Sequence, residues 1–176
     1  MRITFRSLQM EDMALLVRWQ SQPHVARWWQ EPADLESITA RYAAVVRRTE
    51  PAEAFIIELD ELPIGLIQRY RHRDHPAWDR AVGVPGAVGI DYYIGEPTHL
   101  GRGLGSTAIA AFATDTLQHY PDVDCVVAVP QQKNAASWRS LEEAGFVRVW
   151  SGILDSDDPS DEGPAFVYRL GRGKNG

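Results

Sequence analysis

Leu100-Gly101-Arg102-Gly103-Leu104-Gly105-Ser106, read together with Asn134-Ala135-Ala136-Ser137-Trp138-Arg139-Ser140-Leu141-Glu142-Glu143-Ala144-Gly145-Phe146, decides the fold of this chain. The first stretch follows Gly89-Ile90-Asp91-Tyr92-Tyr93-Ile94-Gly95 and opens into a long segment with Ile109, Phe112 and Leu117 on its apolar side. A strand therefore runs into a glycine-rich turn, and the turn into a helix. Glycines let backbone N–H groups approach an anion closely, and the positive end of a helix dipole adds to the attraction. A pyrophosphate is the natural ligand of such a turn. No Gly-Lys-Ser/Thr closes the loop, so it is not a P-loop. The glycine spacing, and the hairpin before it, do not suit a dinucleotide fingerprint. Taken alone, the loop reads equally as a plain turn.

Outward from this centre the chain alternates strands and helices. Ile3–Leu8 alternates apolar and polar residues, as a strand does. Met10–Gln20 has helical spacing, with Pro23 expected to end that unit. Pro32 is expected to open a second helix, on which Leu35, Ile38, Tyr42, Val45 and Val46 form one apolar stripe. Ala54–Leu59 and Leu62–Tyr70 read as a hairpin about a tight Asp60-Glu61 turn. Arg71–Pro85 reads as a long irregular loop, and such loops are often functional. Val88–Ile94, Cys125–Val129, Phe146–Ile153 and Ala165–Leu170 read as further strands. The apolar run Cys125–Val129 suits a strand buried on both faces. Leu104–Tyr120 and Ala135–Ala144 read as helices, the second ended by Gly145 in a left-handed cap. Asp155–Glu162 is an acidic loop, and Gly171–Gly176 is expected to be a flexible tail. With no internal repeat and no linker, residues 1–176 read as one domain.

Composition narrows the function classes. The net charge of −6 makes the chain a poor phosphate binder, which argues against nucleic acid. Negative potential suits a cationic ligand, although mild acidity also simply keeps a protein soluble. No stretch approaches the roughly 20 apolar residues of a membrane span, and the N-terminus does not read as a signal peptide. Cys125 is the single cysteine, so no intrachain disulfide forms, in keeping with a cytoplasmic setting. It reads as a core residue. His72 and His75 have no accompanying ligand cluster, and no metal is expected.

The two opening stretches, in this order and separation, resemble the two principal acetyl-CoA-binding motifs of the GNAT superfamily: Arg/Gln-x-x-Gly-x-Gly/Ala at the head of the long helix, then an Asn-x-x-Ala/Ser helix ending in Ala-Gly-Phe. Pro63-Ile64-Gly65 is similar to the usual third strand of that fold. His24-Val25-Ala26-Arg27-Trp28-Trp29, Pro85-Gly86-Ala87-Val88-Gly89-Ile90-Asp91 and Gly163-Pro164-Ala165 look like segments of the aminoglycoside 6'-N-acetyltransferase family. The resemblance runs from about Ile3 to Leu170.

The resemblance implies an α/β (α+β) fold, a mixed, mostly antiparallel sheet of about seven strands flanked by about four helices and splayed at the acetyl-CoA site. It also implies direct acetyl transfer from acetyl-CoA to a primary amine, with no metal. Tyr93, Ile94, Arg102, Gly103, Leu104, Gly105, Ser106, Asn134 and Ser137 would hold acetyl-CoA. Asn134 alternatively serves as a helix cap. Asp91 would hold the substrate ammonium and accept its proton, the other reading being a solvated strand-edge carboxylate. Trp28, Trp29, Asp91 and Tyr92 would contact an aminoglycoside, with one of the two tryptophans expected in the core. Glu31, Asp74, Asp79, Asp155, Asp157 and Asp158 are further acidic candidates. A siderophore, a polyamine or a protein amine are alternative acceptors, and a non-catalytic acetyl-CoA-binding protein is the rival class. Monomer and homodimer both fit.

Two positions depart from the family pattern. Leu100 stands where the first motif begins with Arg or Gln. Leu141 stands where the second has the tyrosine assigned to protonate the leaving thiolate. Leucine cannot do so, which leaves Tyr92, Tyr93 and Tyr168 as substitutes to consider.

Overall fold

A computed structural model describes residues 1–173. Its strands are β1 (Ile3–Ser7), β2 (Glu53–Leu59), β3 (Leu62–Arg71), β4 (Ala87–Ile94), β5 (Cys125–Ala128), β6 (Val147–Gly152) and β7 (Ala165–Gly171). Its helices are α1 (Met13–Gln20), α2 (Pro23–Trp29), α3 (Leu35–Val46), α4 (Pro76–Val82), α5 (Leu104–His119) and α6 (Ala135–Glu143). The strands follow the order β1-β2-β3-β4-β5-β7-β6 in one seven-stranded sheet. The β4–β5 pairing is parallel, while β1–β2, β2–β3, β5–β7 and β6–β7 are antiparallel. This is the mixed, mostly antiparallel α/β sheet the sequence implies.

Contacts divide the chain into two compact units. The first is Met1–Arg69 with Asp91–Leu104, and the second is Tyr70–Ile90 with the chain from Gly105 on. In the first unit, β1, β2 and β3 form a meander. Asp60 and Glu61 both take positive φ, at 49° and 69°, which fits the twist of the tight hairpin they connect. Helices α1 and α3 bury Met13, Leu16, Trp19, Ile38 and Tyr42 against Ile56, Leu66 and Tyr93. In the second unit, β5 is buried at every position, as its continuous apolar run requires. Along α5, Ala108, Ile109, Phe112, Ala113 and Thr116 fall on one buried face. Gly145 ends α6 at φ 95°, the left-handed cap expected of it.

Four expectations are corrected. Helix α1 ends at Gln20 before Pro23, but Pro23 also opens a further helix, α2, at its first turn, where its missing N–H costs nothing. Pro32 lies outside α3, which is instead capped by Asp34, whose carboxylate accepts from the Ser37 amide at 2.9 Å. Arg71–Pro85 is not irregular: a 3-10 turn at His72–Asp74 leads into α4, again begun by a proline. Six α-helices therefore stand among the described residues where about four were expected. Of the expected tail, Gly171 closes β7, and residues 174–176 lie outside the described residues.

Candidate active site

Asp91 stands half-buried in the middle of β4. Gln68 of β3 donates from Nε2 to its Oδ2 at 3.0 Å, which fixes the carboxylate's orientation. Gly65 is needed beside this strand, because a Cβ there would lie 2.2 Å from the Tyr93 carbonyl oxygen. The amides of Gly95 and Glu96 both donate to the Ile64 carbonyl, at 2.8 and 3.2 Å. The end of β4 is thus bound tightly to β3. The β4–β5 ladder, by contrast, runs only from Ala87↔Cys125 to Gly89↔Val127.

Helices α1 and α2 grip the same segment. Trp19 is fully buried and donates from Nε1 to Glu96 at 2.8 Å, and Arg18 pairs with the same carboxylate. A Cβ on Gly95 would strike the Trp19 indole. His24 bonds the Ile94 carbonyl through Nε2 at 2.8 Å. Tyr93 is buried, and its hydroxyl accepts from Gln20 at 3.1 Å while Arg41 donates to the Gln20 carbonyl at 3.0 Å. Burial pushes the Tyr93 hydroxyl well above its ordinary range, with Tyr42 adding to the effect, so it is poorly placed to act as an acid. Tyr92, next along the strand, is half-buried.

The two tryptophans of α2 are both half-buried but have different neighbours. Trp29 packs edge-on against Tyr93 at 4.8 Å and joins the core, whereas Trp28 lies under the Arg27 guanidinium at 4.9 Å. Of the acidic candidates, Glu31 pairs with Arg41 at 2.8 Å, and Asp158 caps a short 3-10 turn through the Ser160 amide at 2.8 Å.

At the head of α5, Gly101 and Gly103 take left-handed φ values of 67° and 72° and are exposed together with Arg102. Side chains there would be strained although there is space for them. Leu104 is buried and anchors the turn, while Gly105 and Ser106 are half-buried. Exposed backbone beside a guanidinium suits an anion such as a pyrophosphate. Leu100 offers only an exposed apolar side chain.

In the second unit, Asn134 caps α6 by accepting the Ser137 amide at 3.3 Å through Oδ1, so the structural half of its alternative reading is realised. Leu141 is fully buried. Tyr168, also fully buried, donates from its hydroxyl to Glu142 at 2.8 Å, and burial with this carboxylate pushes its pKa up to about 12.

Sequence reasoning missed Gln68 and Gln20, and weighed His72 only as a metal ligand. Gln68 carries a weak signal, a lone amide after the apolar run Ile64-Gly65-Leu66-Ile67. His72 is buried, with neither ring nitrogen bonded, stacked on Tyr70 at 5.8 Å and edge-on to Trp78 at 6.5 Å. A Cβ on Gly89 would strike both Tyr70 and His72. The indole nitrogen of Trp78 is likewise buried without a partner.

A profile of the acetyltransferase (GNAT) domain matches residues 9–151. Aminoglycoside N(6')-acetyltransferase type 1 of Klebsiella pneumoniae is 29% identical over 172 residues, covering 96% of this chain and 82% of the relative. The crystal structure of aminoglycoside acetyltransferase AAC(6')-Ib in complex with coenzyme A superposes with a TM-score of 0.79 at 27% identity, over 97% of this chain and 95% of that one. The complex of the same enzyme with coenzyme A and kanamycin gives a TM-score of 0.78 at 27% identity, over the same 97% and 95%. The residue pattern, the sheet order and these similarities agree, and the chain belongs to the GNAT acetyltransferase family.

Proposed function

We propose that this chain transfers the acetyl group of acetyl-CoA to the 6'-amino group of aminoglycosides, acting in the cytoplasm. The observation that carries the reading is Asp91, a half-buried carboxylate held by Gln68 on the strand that leads into the glycine-rich turn. Similarity over 96% of the chain to a relative named for this activity supports the substrate class.

Acetyl-CoA is the co-substrate, and the donor set fits its anionic end. The backbone of Gly103–Ser106 and the Arg102 side chain would hold the pyrophosphate, with Leu104 fixing the turn. Tyr93 and Ile94 would offer backbone groups to the thioester, and Asn134 and Ser137 would bind the pantetheine arm. Capping uses Oδ1 of Asn134 and leaves its amide group for that contact. On the acceptor side, Asp91 and Tyr92 would face the amine, with Trp28 against the sugar rings and Trp29 backing it from the core.

Asp91 takes a proton from the substrate ammonium, directly or through water. The freed amine nitrogen attacks the thioester carbonyl carbon, the C–S bond breaks, and the nitrogen releases its second proton to solvent, which leaves the amide and the thiolate. Fixed backbone donors favour the charge that develops on the carbonyl oxygen. Leu141 supplies no proton, and the hydroxyl of Tyr168 is engaged with Glu142. Tyr93 is buried beside Gln20 and Tyr92 would face the amine, so in this reading the thiolate takes its proton from solvent.

Thiol release tests the reading. Protein with acetyl-CoA should turn over a 6'-amino aminoglycoside such as kanamycin and leave a matched 6'-hydroxyl compound untouched. Equal rates with both, or none with either despite acetyl-CoA binding, would exclude it.

A further inference from the structure

In a trans peptide the C=O and the N–H point to opposite sides. The Gly95 N–H donates to Ile64 of β3, so the Ile94 C=O on the same peptide points away from β3. The Tyr93 carbonyl oxygen lies against Gly65 of β3, so the Ile94 N–H, trans to it, also points to the opposite edge of β4. The ladder on that edge ends at Gly89. A strand edge without a partner strand leaves its peptides free to rock unless something else holds them.

His24 does this for Ile94. It is the second residue of α2, set by Pro23 at the helix start and by Val25, which is buried in the core. Its Nε2 lies 2.8 Å from the Ile94 oxygen. A carbonyl only accepts, so Nε2 carries the hydrogen. The neighbours of Ile94 are held by other groups: Tyr93 by Gln20 and Trp29, and Glu96 by Trp19 and Arg18. The Ile94 carbonyl receives its bond from His24.

We propose that His24 is a positioning residue for acetyl transfer: by holding the Ile94 carbonyl it fixes the peptide edge on which the Ile94 N–H meets the acetyl-CoA thioester. This rests on the assignment of Tyr93 and Ile94 to acetyl-CoA made above. The same helix carries Trp28, so one short element sets both the thioester contact and the proposed sugar-facing ring.

Acetyl-CoA affinity measured by calorimetry on His24→Phe and His24→Gln tests this without an acceptor, so it is decided even where aminoglycoside turnover fails. Phenylalanine keeps the ring and removes the donor, while the glutamine amide reaches to the same depth as Nε2 and donates. His24→Phe should bind acetyl-CoA about tenfold more weakly, the loss of one hydrogen bond, with His24→Gln within about threefold of wild type. The two variants should melt at similar temperatures, since a purely structural role would move Tm and leave affinity alone. Wild-type affinity in His24→Phe, or a His24→Gln as weak as His24→Phe, overturns the proposal.

Discussion

The two units each bury polar aromatic clusters, and they treat them differently. Around Tyr93 most of the buried polar groups are joined: Gln20 links the Tyr42 and Tyr93 hydroxyls, Arg41 holds Gln20, and Trp19 reaches Glu96, while the Trp29 indole nitrogen is buried without a partner. Around His72, neither ring nitrogen nor the Trp78 indole has a partner. A joined network rigidifies, because each group is worth more in a low dielectric when satisfied. An unjoined imidazole has to stay neutral, because burial penalises its charged form. The first arrangement suits a platform that must not move during chemistry. The second makes stability depend on acid.

Removing the centre of the joined network should have the largest effect on folding. Trp19→Ala deletes a fully buried indole and leaves Glu96 with only Arg18, so about 3–5 kcal/mol of stability should be lost in denaturant titration. The unjoined cluster predicts a pH effect of similar rank. Burial lowers His72 from 6.5 to about 4, with Asp79 opposing the shift and His75 adding to it, and the rings of Tyr70 and Trp78 enclosing the imidazole. Between these two values the unfolded chain binds the extra proton. The contribution to stability is therefore complete above about pH 6.5 and falls as pH drops toward 4, by about 3 kcal/mol in all. His72→Phe should flatten that acid limb, and an unchanged slope would show that other groups cause it. Gln20→Leu, which takes away the amide that donates to the Tyr93 hydroxyl, should cost about 1–3 kcal/mol. Smallest is Asn134→Ala, where loss of the α6 cap should cost about 1 kcal/mol, and a weaker acetyl-CoA affinity beyond that would mark its second role.

Much of this contrast was hidden in the sequence, for identifiable reasons. Most strands and the glycine-rich turn were legible because glycines, apolar alternation and the Asn134–Phe146 helix are local signals. Helices α2 and α4 were not, since each is one short element begun by a proline that reads equally as a breaker. Asp91 was singled out by its carboxylate and by the family resemblance of its segment. Its partner Gln68 lies a hairpin away, and pairing across strands depends on a register that only the fold supplies. Likewise His24 reads as one letter of a family segment until Ile94 is seen beside it. The division of labour between Trp28 and Trp29 also awaited the structure, because adjacent helix positions differ by about 100° around the axis.

The most direct test of the central claim is Asp91→Asn, assayed with kanamycin at saturating acetyl-CoA alongside acetyl-CoA affinity. A carboxylate that orients the ammonium and takes its proton should be worth about 10²–10⁴-fold in turnover, with acetyl-CoA binding unchanged. An Asp91→Asn protein that acetylates kanamycin at close to the wild-type rate would contradict the account.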